Sequence, residues 1–88
     1  MDNRLLFDGH IIKKHPELSE EDITQAWENA IASRSRGLDD HIAIGFDGKG
    51  RLLQIGAVRL ESGDWLVYHA LTPPQESTYK ELGIDRRK

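Results

Sequence analysis

The chain has 88 residues, 38% of them hydrophobic, a net charge of -3 and no cysteine. A chain of this size is expected to form one domain burying roughly 60 to 65% of the surface its unfolded form exposes, so the core is thin and a partner that binds only the folded state would add to its stability. The composition excludes a disulfide framework and thiolate metal sites and argues against a nonspecific nucleic-acid coat, while the opening MDNRLLFDGH lacks the apolar run of a signal peptide and nothing later approaches a membrane span. The expectation is a cytoplasmic protein without membrane contact.

Leu5-Leu6-Phe7 is a short apolar run suited to an edge strand, and Asp8 is placed to cap a brief helix that Pro16 makes difficult to extend. That helix carries the stretch HIIKKH, residues 10–15. Helical spacing sets His10 beside Lys13 and Lys14, sets Ile11 beside His15 and points Ile12 inward, which divides the polar residues between two faces. Ser19-Glu20-Glu21-Asp22 is a capping-box pattern, with Leu18 and Ile23 in the positions of a hydrophobic staple. Ile23, Ala26, Trp27, Ala30 and Ile31 continue as one apolar stripe. The acidic first turn suits the positive end of the helix dipole, a structural task that competes with any catalytic one.

After Gly37 the period becomes two. Ile42, Ile44 and Phe46 alternate, Asp47-Gly48-Lys49-Gly50 supplies a turn, and Leu52 to Leu60 resumes as a strand. Glu61-Ser62-Gly63-Asp64 is a second turn, and Trp65 to Leu71 a third strand on which Trp65, Val67, His69 and Leu71 would share a face. A fourth strand fits Ile31 to Arg36. Thr72-Pro73-Pro74 breaks the sheet, and Gln75 to Leu82 forms a helix ended by Gly83. The predicted class is α+β: two N-terminal helices, a three- to four-stranded antiparallel meander and a C-terminal helix, with the helices against one face of the sheet.

Lys14-His15 followed by Leu18-Ser19-Glu20-Glu21-Asp22-Ile23, the central Gly48-Lys49-Gly50-Arg51-Leu52-Leu53, and Val67-Tyr68-His69-Ala70-Leu71 with Tyr79 resemble, in residues and order, the BrnT-like branch of bacterial toxins in toxin-antitoxin pairs. The resemblance covers most of the chain. It implies a RelE-related fold and a metal-independent endoribonuclease without a cofactor, whose partners are RNA and a cognate antitoxin protein. Assembly as a homodimer or as a toxin-antitoxin hetero-oligomer stays open. The chain departs from the family in two places. Many members carry Ser-Ala-Arg where this chain has His69-Ala70-Leu71, so the family arginine is missing, and Pro16-Glu17 stands where a glycine usually follows the lysine-histidine pair.

Cleaving RNA without metal needs a base for the 2'-hydroxyl, an acid for the leaving oxygen and cations for the crowded phosphate. His69, His10, His15 and Lys14 are the candidates for these tasks, each against the plain alternative of a packed or solvated side chain. Lys13, Arg34, Arg36, Arg51, Arg59 and Lys80 are candidate phosphate contacts, and Tyr68 can stack on a base. Arg59 shares its face with Leu53, Ile55 and Ala57, which suits a strand end, and Trp27 and Trp65 are assigned to packing. Four histidines without cysteine, none at i, i+4, offer no metal-ligand pattern, and Gly45, Gly48 and Gly50 fit a hairpin turn rather than a phosphate loop. The alternative function is a noncatalytic protein-binding module of the same fold.

Overall fold

A computed structural model describes residues 4–84. Its elements are β1 (Leu5–Phe7), α1 (His10–Lys14), α2 (Glu20–Glu28), β2 (Ala30–Ser35), β3 (Asp40–Phe46), β4 (Leu52–Arg59), β5 (Trp65–Leu71) and α3 (Glu76–Glu81). The capping box forms as its residues demand: Ser19 Oγ accepts the Asp22 N–H at 3.0 Å, and Asp22 Oδ2 accepts the Ser19 N–H at 3.1 Å. Leu18 and Ile23 are fully buried beside it. The apolar stripe is shorter than its sequence pattern. Asn29 ends α2, so Ala30 and Ile31 enter an edge strand, where Ile31 is exposed.

Among the described residues the sheet has five strands, in the order β1-β5-β4-β3-β2. The two turns produce the expected antiparallel β3-β4-β5 meander, and β2 extends it at one edge. The fourth strand anticipated at Ile31 to Arg36 is therefore present. The sheet is nevertheless mixed rather than antiparallel, because β1 runs parallel to β5, with Leu5 opposite Trp65 and Phe7 opposite Val67. Nothing within three residues of sequence encodes the direction of a partner so distant along the chain.

Alternation on β4 sorts the two faces. Leu53, Ile55 and Ala57 join Ile11, Ile23, Ala26, Val67 and Ala70 in a core under α1 and α2. Gln54 points the other way, where its side chain meets the start of α3 through the Gln75 N–H. Arg34, paired in register with Ile42, also reaches α3, at the Glu81 carbonyl. The helices thus cover both faces of the sheet, a correction to the single-face expectation that follows from the polar group at Gln54 needing a partner.

The last strand breaks its own period. Gly56 pairs with His69 and Ala57 with Val67, leaving Tyr68 as an extra residue on β5. This bulge sends Tyr68 and His69 to the same side. His69 consequently does not share the face of Val67; Ala70 takes the core position instead.

Candidate functional site

β1 is only three residues long, and its ladder ends where the Asp8 N–H donates to the Val67 carbonyl at 2.9 Å. Among the described residues, no strand lies beside the edge of β5 beyond Val67, and α1 lies across that gap. Within α1, Ile12 packs against the core as expected but is only partly buried, and Ile11 is the residue buried most deeply, because the helix is set by its seat on the β5 edge. Asp8 acts one position before the N-cap, which is Gly9: its Oδ1 accepts the His10 N–H at 3.3 Å and lies 2.9 Å from His10 Nδ1.

Between α1 and the bulge lies a cavity of about 100 Å³ lined by His10, Ile11, Lys14, His15, Tyr68, His69 and Ala70. All four residues singled out for acid-base work therefore line one pocket. Helical spacing had divided HIIKKH between two faces. The tight turn of α1 and the return of the chain at His15, whose N–H bonds the Ile11 carbonyl at 2.9 Å, bring His10, Lys14 and His15 to the same rim. His15 Nδ1 is 3.5 Å from Glu17 Oε2.

The electrostatics of the pocket centre on His69. Burial, then the neighbouring His15, Lys14 and Arg36, push its imidazole below the ordinary histidine range, so it is neutral at pH 7. Arg36 donates to both oxygens of Glu81, from Nε at 2.8 Å and Nη2 at 2.6 Å. That pair raises the guanidinium above its usual value and holds Glu81 below the usual carboxylate range. Tyr68 Oη donates to Asp40 Oδ1 at 2.7 Å, and burial together with that carboxylate pushes the phenol up to about 12. Tyr68 is thus a committed donor, and its ring lies over Gly56, where an added Cβ would approach to within 3.1 Å.

The remaining candidates lie elsewhere. Arg51 bonds Asp47, Asp22 and the Glu17 carbonyl, a clamp between the β3-β4 turn and α2. Arg59 lies over the Trp65 ring, 5.4 Å from its centroid. Arg34 donates to the Glu81 carbonyl at 3.2 Å. Lys13 and Lys80 are exposed, and neither lines the pocket. Trp27 and Trp65 do pack, with ring centroids 5.5 Å apart, and they also wall a second, open cavity of about 420 Å³.

One contributor escaped the sequence reading. Gln54, buried on β4, places its Nε2 3.2 Å from His69 Nε2. Its signal was present, since a lone amide in the middle of Leu52-Leu53-Gln54-Ile55-Gly56-Ala57-Val58 needs a partner in the fold. Among the described residues no group of three or more histidines, cysteines or acids is placed to hold a metal ion, and no helix is long and apolar enough to cross a membrane. Comparison with protein-family models, with curated proteins and with solved structures gave no match, so the functional reading rests on the chain's own residues.

Proposed function

We propose that the protein is the toxin of a type II toxin-antitoxin pair, a cytoplasmic endoribonuclease of RelE/BrnT-like type that works without a metal. The observation that carries this reading is the meeting of His10, Lys14, His15 and His69 at one pocket. Three imidazoles and an amine supply the acid-base and cationic groups that transfer of a phosphoryl group to a 2'-hydroxyl requires. Lys14 faces the phosphate, and the histidines handle protons and orientation. Arg36, next to Tyr68, stands in for the absent family arginine if RNA displaces Glu81 from it.

The test combines two measurements. Expression alone is expected to arrest growth, with relief by a co-expressed antitoxin, and the purified chain is expected to cleave RNA in the presence of a chelator. A chain that neither slows growth nor cleaves RNA is not a ribonuclease.

The second reading, a noncatalytic module acting through a protein partner, draws on the closed Arg36–Glu81 pair and on Leu71 where the family places arginine. A catalytic chain gives pH-dependent cleavage, whereas a binding module gives only complex formation.

A further inference from the structure

Gln54 is 3% exposed, and a buried primary amide must satisfy one end that only accepts and another that only donates. Its Oε1 accepts the backbone N–H of Gln75 at 2.9 Å. Only the oxygen can do so, because that N–H is a fixed donor, and the network therefore settles which way the amide points. The NH2 group is left 3.2 Å from His69 Nε2. Two donors cannot face each other, so His69 Nε2 carries the lone pair and the ring proton resides on Nδ1.

We infer that Gln54 is a positioning residue which, locked by the Gln75 N–H, holds His69 as the neutral Nδ1–H tautomer, so that His69 meets an anion as a hydrogen-bond donor and not as a base. Its role toward RNA rests on the function proposed above; the tautomer does not. The lone pair that would abstract a proton is occupied by Gln54, and among the described residues nothing bonds Nδ1, which is left to donate to a phosphate oxygen. Proton abstraction then falls to His10 or His15, across the same pocket. Protonating His69 would aim an N–H at the Gln54 NH2. That conflict opposes the imidazolium in the same direction as Lys14 at the end of α1, His15 at its C-cap and Arg36, which is itself neutralised by Glu81, while Tyr68 contributes no charge.

The experiment is ¹⁵N NMR of the imidazole of the full chain across pH. Above its titration His69 is expected to show a protonated Nδ1 and a bare Nε2. Gln75→Pro separates the relay from the surrounding charges: Gln75 has φ -70°, which proline adopts, and the substitution removes the N–H that fixes the amide together with an exposed side chain that makes no capping hydrogen bond. In that variant Gln54 is free to turn its oxygen to His69, the Nε2–H form appears and the titration midpoint rises. In Gln54→Glu one carboxylate oxygen keeps the Gln75 N–H while the other accepts from Nε2–H, raising the midpoint by about one pH unit or more. An Nε2–H tautomer in the unaltered chain, or an unchanged midpoint in both variants, overturns the inference. Absence of RNA cleavage with the Nδ1–H tautomer in place instead removes the proposed function and leaves the relay standing.

Discussion

Arg51 Nη2 lies 3.0 Å from Asp22 Oδ2 and so ties the β3-β4 turn to the first turn of α2. The same guanidinium holds Asp47, whose side chain is completely buried, at 2.8 Å through Nε. Removing Arg51 leaves the buried Asp47 without the cation at its Oδ2, and leaves Asp22 with the exposed Lys49 ammonium at 3.5 Å. Deleting one partner of a buried pair costs about 3 to 5 kcal/mol, and because Arg51 is itself 30% exposed, Arg51→Met is expected to cost roughly 2 to 4 kcal/mol. Urea unfolding measures this. Cleavage by the folded fraction should be unchanged, and a cleavage defect at full stability would return Arg51 to the substrate surface.

The two carboxylates also predict an acid limit. Backbone and side-chain bonds within the capping box, against the opposing cost of burial, hold Asp22 below 3.8. Burial alone would raise Asp47, but the N–H groups of Arg51 and Lys49 and the Arg51 guanidinium outweigh it and hold that carboxyl below 3.8 as well. The folded values lie under the unfolded ones, so this stabilisation is complete above the unfolded value and is lost as pH falls through the folded values. Urea midpoints should therefore decline modestly as pH falls below 6.5, where the depressed His69 imidazole resists protonation in the folded chain, and drop further below pH 3.8 as the two carboxylates are protonated. Arg51→Met should blunt that drop, and an identical acid profile in the variant would count against the clamp.

His69→Ala is expected to lower RNA cleavage at least about tenfold, since losing one donor aimed at developing charge costs about 100- to 1000-fold where that donor is well placed. Unchanged cleavage would remove His69 from the mechanism. Its surroundings can be probed separately through Lys14→Gln, which removes a neighbouring cation. The His69 midpoint should then move up toward 6.5, and NMR titration reads the change directly. No movement would show that Lys14 does not face the ring.

Gly45 on β3 faces the end of α2, where a Cβ would overlap the Ala26 carbonyl oxygen and come within 2.9 Å of Ala30 Cα. Both neighbours are backbone and cannot swing aside. Gly45→Ala is expected to cost roughly 2 to 3 kcal/mol by forcing α2 off the sheet, whereas Gly9→Ala, with nothing within 4 Å, should be tolerated. Thermal denaturation of the pair gives the comparison, and equal melting temperatures would refute the close approach.

The parts whose causes lie within a few residues are legible in the chain alone. Ser19 and Asp22 are three positions apart and cap α2 whatever the rest of the chain does. The turns at Asp47 to Gly50 and Glu61 to Asp64 likewise set the meander. The tertiary structure alone decided what depends on distant pairing: the parallel seat of β1 on β5, the extra residue at Tyr68 that turns His69 away from Val67, and the use of Arg51 as a clamp. The candidate site belongs to that second group. His10, Lys14 and His15 were legible as a polar cluster and His69 as a strand histidine, but their meeting requires β1 to stop short and α1 to occupy the vacant edge. Strand alternation and helical period are local rules, while a bulge and an uncovered edge are properties of two strands at once.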